Sequence, residues 1–408
     1  MPEVVVVGAG LAGLACALHL TRAGLDVALL ESEPVVGGRV RTDEVDGMLL
    51  DRGFQVHNTA YPEAQRVLDS RALGLQAFDA GALLRWGDRL HRVGDPRRRP
   101  TWAPSTLLSP IGSLGDKVRI ARTAAAAALT SADALLSRPE TTTEQALRDR
   151  GLTDTVIERF YRPFLSGVFL EDGLQTSSRF FDLVWRSFAL GTQCVPARGM
   201  GAIPAQLAAA LPPDVLQLGT AVDAVRSDGV LVGGDRTAAR AVVVATSAPA
   251  AARLLPGLDV PAMNGVTTHY HLAPDPPVRE PAIVLDAERA GPVANTVVLT
   301  NAAPSYAPGR HLVSSSVVSG DAGEPAVRRH LARLYGVDTT SWEHVARYDV
   351  VDGVPDQRPP MGRFQRAVRL EPGLFVCGDH RDSGSIQGAL VSGRRAATTV
   401  LSDLRERP

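Results

Sequence analysis

Four consecutive valines begin at Val4, and an apolar stretch with helical spacing follows them and continues to Leu20. A strand with one solvated face alternates apolar and polar residues, so an unbroken apolar run predicts a strand that is buried on both faces. Gly24 ends the predicted helix, and Asp26 to Leu30 form a second apolar run. The pattern therefore predicts strand, helix and strand in succession, which is the opening of a parallel sheet.

Three glycines between the first strand and the helix have the GxGxxG spacing of a dinucleotide-binding turn. Gly8 makes the tight turn, Gly10 lets the backbone approach a pyrophosphate, and Gly13 lets the helix pack closely on the strand. Leu11 and Ala12 stand at the start of the helix, where unpaired N–H groups attract phosphate. The turn predicts a bound dinucleotide.

An acidic residue, Glu31, follows the second strand, and Ser32 stands beside it. A carboxylate at this place accepts hydrogen bonds from the ribose hydroxyls and repels a 2′-phosphate, so the dinucleotide is predicted to be FAD or NAD and not NADP. Gly37 and Gly38 then expose backbone amides, and Arg39 adds a guanidinium that can bind phosphate oxygens. These five residues extend the predicted dinucleotide site.

The succession of strand, GAGLAGL, glutamate and GGR resembles the FAD-binding signature of the superfamily of flavin amine oxidases, protoporphyrinogen oxidases and phytoene desaturases. The layout of residues 51–63 and 304–308 is closest to the phytoene-desaturase-like branch. The resemblance implies that FAD is the cofactor. It also implies that a segment after GGR runs along the flavin ring and that the backbone of one valine lies against the adenine. The segment comprises Gly53, Phe54, Gln55 and Val56, and the valine is Val222.

A second half of the signature lies near the end of the chain. The buried strand that begins at Leu374 leads into Gly378 and Asp379, whose carboxylate is implied by the resemblance to bind the ribityl and pyrophosphate region. The helix that follows is implied to point its N-terminus at the pyrimidine edge of the flavin, where negative charge develops on reduction. The remaining cofactor candidates, at the start of this helix and at the end of a buried strand in mid-chain, are Ser385, Ile386, Gln387 and Thr246.

The predicted fold class is α/β, with an α+β substrate part. It comprises a Rossmann-like FAD-binding domain with a β-meander, and a substrate domain with an antiparallel sheet and a helical cap. Residues 61–190 are predicted to be mostly helical, and the aromatic residues 179–188 are interpreted as core, with pocket lining as the alternative. The FAD-binding domain is expected at residues 1–60, 200–255 and 360–408, and the substrate domain at 61–199 and 256–359.

Composition limits the kinds of molecule and membrane that the protein is expected to bind. Of the 408 residues, 45% are apolar and 21% are charged, and the net charge of −1 argues against nucleic acid or an anionic membrane as an electrostatic partner. No uncharged apolar run reaches the roughly eighteen residues of a membrane span, so only peripheral membrane contact is left open. The first strand starts at residue 4, which leaves no room for a signal peptide, and we expect a cytoplasmic protein. The oligomeric state is not predicted.

The cysteines and histidines give no sign of a metal. Cys16, Cys194 and Cys377 are far apart in the sequence and form no CxxC pair, so neither a disulfide framework nor a metal site is predicted, and a reducing compartment fits. Cys16 and Cys377 are interpreted as small core residues. His269 and His271 share one face of a predicted strand, but no third ligand has a matching spacing.

The sequence predicts an oxidoreductase that binds FAD non-covalently and removes a hydride from a largely apolar small molecule, at C–C or C–N, with electrons passed to oxygen, a quinone or another acceptor. Gln55, His57 and His380 are the catalytic candidates, although His57 is first interpreted as an ordinary hydrogen-bonded residue. The only lysine, Lys117, lies outside the substrate sheet, which argues against the lysine-dependent amine oxidases of the resembled family. Cys377 lies inside a strand, which argues against a covalent flavin.

Two alternatives stay open at this point. One is a redox-neutral isomerase or cyclase that uses reduced flavin as a fixed acid. The other is a flavin-binding protein without turnover. The chain has one dinucleotide fingerprint, so it has none for a second domain that would bind a nicotinamide.

Overall fold

The structure, a computed structural model, describes residues 1–318 and 320–406. The first third contains β1 (Val4–Val7), α1 (Leu11–Arg22), β2 (Val27–Leu30), β3 (Thr42–Val45), β4 (Met48–Asp51), β5 (His57–Asn58), α2 (Pro62–Val67), α3 (Ser70–Leu73), β6 (Gln76–Ala77), β7 (Gly81–Trp86), β8 (Arg89–Gly94), α4 (Ala103–Leu108), α5 (Leu114–Leu129) and α6 (Ala132–Leu136). The middle third contains α7 (Thr143–Asp149), α8 (Asp154–Val156), α9 (Arg162–Phe169), α10 (Ser178–Leu190), β9 (Gln193–Val195), α11 (Ala202–Ala209), β10 (Leu216–Gln217), β11 (Ala224–Arg226), β12 (Gly229–Val232), β13 (Asp235–Ala238), β14 (Ala241–Val244) and α12 (Ala248–Leu254). The last third contains β15 (Met263–Ala273), β16 (Ile283–Asp286), β17 (Val293–Val298), α13 (Leu299–Ala302), β18 (His311–Val317), α14 (Glu324–Tyr335), β19 (Glu343–Pro355), β20 (Arg369–Glu371), β21 (Leu374–Val376) and α15 (Ile386–Glu406). Short 3₁₀ turns lie at Pro100–Trp102, Pro304–Tyr306 and Asp379–Arg381, and a π-helical turn lies at Ile157–Tyr161.

A six-stranded sheet carries the dinucleotide-binding turn, with the strand order β10-β2-β1-β14-β21-β20. Its neighbouring strands are parallel except for β20, which is antiparallel at the edge. The four valines of β1 are buried on both faces, as the unbroken apolar run predicts. The carboxyl ends of β1, β2, β14 and β21 meet at one edge of the sheet, which is where open parallel sheets bind ligands.

A seven-stranded sheet has the order β19-β15-β18-β17-β16-β7-β8 and is antiparallel except between β16 and β7. This confirms the predicted antiparallel sheet. The prediction of mostly helical structure is wrong for residues 81–94, which form the hairpin β7–β8. The hairpin is stable because Leu83 and Leu84 are buried in different hydrophobic clusters on its two faces, while Gly87, with a φ of 54°, makes the turn.

Helices α5 to α10 form the predicted helical cap. The long helix predicted for residues 115–136 is divided into α5 and α6, because the Ser131 side chain caps α6 by accepting a hydrogen bond from the N–H of Ala134 at 3.3 Å. Helix α10 carries most of the aromatic side chains. Phe181 and Trp185 stack with ring centroids 5.5 Å apart inside the cap, so both contribute to its core.

The fold class is confirmed as mixed α/β. The β-meander is present as the antiparallel sheet β11-β12-β13, although the polar third strand, β13, was not predicted. The six-stranded sheet collects strands from the beginning, middle and end of the chain. The division into an FAD-binding and a substrate domain at the stated boundaries stays a prediction.

Asp51, a buried residue at the end of β4, joins the β3–β4 hairpin to the seven-stranded sheet through hydrogen bonds of its carboxylate and its backbone carbonyl oxygen. Its Oδ1 accepts from the Thr42 hydroxyl at 2.5 Å and from the Met200 N–H at 2.9 Å, and its Oδ2 accepts from the Tyr306 hydroxyl at 2.8 Å. The hydroxyl of Tyr270, on β15, donates to the Asp51 carbonyl oxygen at 2.8 Å. Burial raises the pKa of Asp51 from 3.8 to about 6, although the hydrogen bonds oppose this rise.

We expect Asp51→Asn to flatten the pH dependence of stability. A carboxyl group whose pKa is raised by folding stabilises the native state below pH 4, and this contribution is lost as the pH rises through about 6. The amide does not titrate, so the pH-dependent change in unfolding free energy should shrink by up to about 3 kcal/mol between pH 4 and 7. Urea unfolding at several pH values measures this. Asp46→Asn, at an exposed turn of the same hairpin, is the matched control. Equal slopes in both variants would contradict the prediction.

Candidate flavin-binding site

The three glycines of the GxGxxG turn have different surroundings. Gly8 has a φ of 104°, which favours glycine. A Cβ on Gly13 would lie 1.9 Å from the carbonyl oxygen of Gly8, so the close packing of α1 on β1 requires a glycine there. At Gly10, by contrast, no atom lies within 4 Å of the position that a Cβ would take. The protein therefore leaves open the space beside Gly10, where a pyrophosphate is predicted.

The Glu31 carboxylate is held in place after β2. Its Oε2 accepts from the N–H of Ala9 at 2.6 Å, and its Oε1 accepts from the Ser32 hydroxyl at 3.2 Å and from the N–H of Glu33 at 3.0 Å. The side chain is almost completely buried but still lines the cavity described below. Because the protein fixes its orientation, the carboxylate is preorganised for a ligand hydroxyl.

Arg39 brings three distant parts of the chain together. Its Nη2 donates to Asp379 Oδ1 at 2.6 Å, and its Nη1 donates to the carbonyl oxygen of Gly353, on β19, at 2.8 Å. Burial opposes the charged form of Arg39, but the Asp379 carboxylate outweighs it and raises the pKa of the guanidinium. The predicted first and second halves of the signature therefore meet in one charged pair beside the seven-stranded sheet.

A cavity of about 2040 Å³ lies between the two sheets and the cap. Ligand pockets usually have volumes of about 300–1,000 Å³, so this one has room for a dinucleotide and a second molecule. Gly13 is the one predicted cofactor residue that does not line it. The predicted residues that do are Gly8, Gly10, Leu11, Ala12, Glu31, Ser32, Gly37, Gly38, Arg39, Gly53, Phe54, Gln55, Val56, Val222, Thr246, Gly378, Asp379, Ser385, Ile386 and Gln387.

The predicted catalytic candidates separate into two groups. Gln55 lines the cavity, and its Nε2 donates to the carbonyl oxygens of Arg39 and Arg52 at 2.9 and 3.2 Å. His57 and His380 are buried outside the lining, and burial lowers the pKa of each to about 4. Both imidazoles are therefore neutral at physiological pH and do not face the cavity. The structure gives no geometric support for their catalytic role.

Three lining residues were missed in the sequence. Asp352, on β19, lines the cavity close enough to Arg39 to raise its pKa. Asp382 follows Asp379 by three positions, and burial raises the pKa of its carboxyl group to about 6, which suits proton exchange near neutral pH. Gly353 contributes its carbonyl oxygen to Arg39. The β19 residues Asp352 and Gly353 belong to no sequence motif, because they are more than 300 positions away from Arg39 in the chain.

The rest of the cavity lining is mainly apolar and comes from the cap. Both interpretations of the aromatic segment hold for α10, because Phe180 and Trp185 belong to the buried cluster of the cap and also line the cavity, whereas Phe181 is core only. The large apolar lining residues of the cap are Leu114, Val118, Ile120, Leu136, Phe160, Phe164, Val168, Phe180, Leu183, Val184, Trp185, Phe188 and Leu190. Such a lining removes water from apolar ligands, so this part of the cavity is suited to a hydrophobic molecule.

The cysteines and the histidine pair lie away from the cavity. Cys16 and Cys377 are free and adjacent, and the hydrogen bond between their side chains raises the pKa of Cys16. His269 contacts a third histidine, His344, at 3.3 Å. Even so, no group of three or more potential ligands in residues 1–318 and 320–406 has the geometry to hold a metal ion. Over the same residues, no helix is long and apolar enough to cross a membrane.

The comparisons with known proteins agree with this site. A family model described as flavin containing amine oxidoreductase matches residues 11–401, so the chain belongs to this family and is a flavin-dependent oxidoreductase. Hydroxysqualene dehydroxylase of Rhodopseudomonas palustris is 28% identical over 456 aligned positions, covering 97% of this chain and 98% of the relative. Phytoene dehydrogenase of Streptomyces griseus is 58% identical over 51 residues, which are 12% of this chain and 10% of the relative. The fold is similar to that of a putrescine oxidase double mutant, with a TM-score of 0.75, 18% identity, and coverage of 98% and 99% of the two chains.

We expect substitutions at two glycines of the turn to change different properties, flavin affinity at Gly10 and stability at Gly13. Gly10→Ala places its methyl group in open space, so it should change the unfolding temperature of the flavin-free protein little but raise the dissociation constant for flavin at least about tenfold. Gly13→Ala forces a clash with Gly8 and should lower the unfolding temperature of the flavin-free protein. Calorimetry and flavin fluorescence titration measure the two effects. Unchanged flavin affinity in Gly10→Ala would show that the ligand does not approach this glycine.

Proposed function

We propose that the chain binds FAD non-covalently and removes a hydride from a largely apolar small molecule, with electrons passed to oxygen, a quinone or another acceptor. The observation that carries the proposal is the shared cavity. The residues of the predicted FAD signature and the apolar side chains of the cap line one continuous space. FAD, when bound, supplies the hydride acceptor.

The residues of the chain fit this cofactor by their chemistry. Glu31 would hold the ribose hydroxyls, and the open space at Gly10 together with the amides at the start of α1 would receive the pyrophosphate. Arg39 and Asp379 would hold the middle of the dinucleotide. The start of α15 would face the ring edge, with Gln387 held by the hydrogen bond from the N–H of Glu63 to its Oε1 at 3.0 Å.

An apolar substrate is favoured over a cationic amine. Two carboxylates that line the cavity beside β7 and β8 are already paired, Asp79 with Arg99 and Asp95 with Arg97. The only lysine, Lys117, donates to two backbone carbonyl oxygens and not to a group in the substrate sheet. The name of the relative that spans nearly the whole chain, hydroxysqualene dehydroxylase, also points to a hydrophobic substrate.

The proposals of non-covalent FAD binding and of a cytoplasmic location are supported by the free state and the positions of the three cysteines. Cys16, Cys194 and Cys377 are buried and free, and none of them lines the cavity. No histidine lines the cavity within the part of the chain that the structure describes. A covalent bond to the flavin therefore has neither of these side chains in reach. Free thiols that persist in the folded protein are typical of a reducing compartment.

We expect the purified protein to be yellow and to release intact FAD when it is denatured. Flavin that stays with the precipitated protein would contradict non-covalent binding. In the absence of oxygen, addition of an apolar isoprenoid substrate should bleach the flavin absorbance, whereas an aliphatic diamine should leave it unchanged, because the cap side chains that line the cavity are mainly apolar. Rapid bleaching by the diamine alone would overturn the proposed substrate class. Conversion of the isoprenoid without bleaching would indicate redox-neutral chemistry.

A further inference from the structure

Four large apolar side chains are exposed where the cap meets the edge of the seven-stranded sheet. Leu107 and Leu108 end α4, and Leu114 and Val118 lie in the first two turns of α5; their exposed fractions are 55%, 85%, 66% and 59%. We call these four residues the mouth patch. Scattered exposed leucines are ordinary in soluble proteins, but a contiguous cluster marks a binding surface.

The mouth patch continues into the cavity. Leu107, Leu114 and Val118 are exposed to solvent and also line the cavity. Along α5, Leu114 and Val118 are followed on the same helical face by Ala121 and Ala125, which are also exposed and line the cavity. One apolar face of α5 therefore leads from the molecular surface into the apolar part of the cavity. The mouth patch therefore lies at an opening of the cavity to the surface, which we call the entrance.

The chain around the mouth patch is basic, although the whole molecule is nearly neutral. Residues 95–122 contain six basic and two acidic residues, whereas the net charge of the chain is −1. One of the two acidic residues, Asp116, is buried in the N-terminal capping box of α5, where its carboxylate accepts hydrogen bonds from the hydroxyls of Ser113 and Thr153. Arg119 and Arg122 are exposed on α5. Arg97 and Arg99 are paired with Asp95 and Asp79, so the local excess of positive charge in this segment rests on Arg98, Lys117, Arg119 and Arg122.

We propose that the mouth patch docks on an anionic lipid surface, so that the apolar substrate enters the cavity from the bilayer without crossing water. The nature of the substrate rests on the proposed function, but the docking surface itself does not. Exposed leucines together with arginine and lysine are the combination that binds interfacial helices to anionic membranes. The apolar side chains enter the headgroup boundary, and the basic ones face the lipid phosphates.

A second copy of the chain is a less suitable occupant of the same surface. A dimer formed through the mouth patch would cover the entrance and close the cavity to its substrate. It would also bring two basic segments together, and like charges oppose association. A lipid surface covers the same side chains and leaves the entrance open to a molecule dissolved in the membrane.

The test is sedimentation of the flavin-loaded protein with vesicles of phosphatidylcholine, with and without phosphatidylglycerol. We expect the protein to bind the anionic vesicles at least tenfold more tightly than the neutral ones. Leu108→Asn should weaken binding to the anionic vesicles about tenfold, and Leu108→Asn with Arg122→Gln should weaken it further. Neither side chain lines the cavity, so flavin content should be unchanged in both variants.

The matched control is Val351→Asn. Val351 is 76% exposed on β19, at the opposite edge of the seven-stranded sheet from β8, which packs against α4. It should bind vesicles like the unmodified protein. The proposal is overturned if the unmodified protein binds neither vesicle, if Val351→Asn and Leu108→Asn have equal effects, or if Leu108→Asn abolishes a dimer in light scattering and leaves vesicle binding intact. Vesicle binding needs no turnover, so its failure is distinct from a failure of the proposed reaction.

Discussion

The ion pair between Arg39 and Asp379 is the contact on which the architecture of the site depends. The two residues are 340 positions apart, and the guanidinium also binds the carbonyl oxygen of Gly353 in the seven-stranded sheet. A charge that is partly withdrawn from water is stabilised by pairing and hydrogen bonding, so the half-buried Arg39 is held in this position only if both chain ends and the strand β19 are in place. The cavity exists because these three segments converge, and it cannot form from the N-terminal fingerprint alone.

The cofactor part of the site could be predicted from the sequence because its determinants are local. Glycine positions in the turn from β1 to α1 follow from backbone geometry, and Glu31 follows from the length of one strand–helix–strand unit. The structure places these residues where the spacing puts them, and all but Gly13 line the cavity. Gly13 does not line the cavity, because its role in the motif is to let α1 approach β1.

The rest of the cavity lining could not be predicted in the same detail, because its residues are brought together by tertiary packing. The hairpin β7–β8 was interpreted within a helical region, since a short apolar run does not distinguish a buried strand from a helix. Asp352 and Asp382 belong to no motif, and their place in the lining follows from distant segments of the chain. His57 and His380 show the converse problem, because proximity to a motif in the sequence did not predict a place in the cavity lining. They stand next to motif residues in sequence, but both are buried and neither lines the cavity.

The central claim is that both ends of the chain bind the same FAD molecule through the pair of Arg39 and Asp379. A double-mutant cycle on FAD affinity tests it most directly, with Arg39→Gln, Asp379→Asn and the double variant titrated by calorimetry against the flavin-free protein. Each single change should weaken FAD binding, and the double variant should lose less than the sum of the two, with a coupling free energy of about 1–3 kcal/mol. Additive losses within about 0.3 kcal/mol, or an unchanged affinity in Asp379→Asn, would contradict the account.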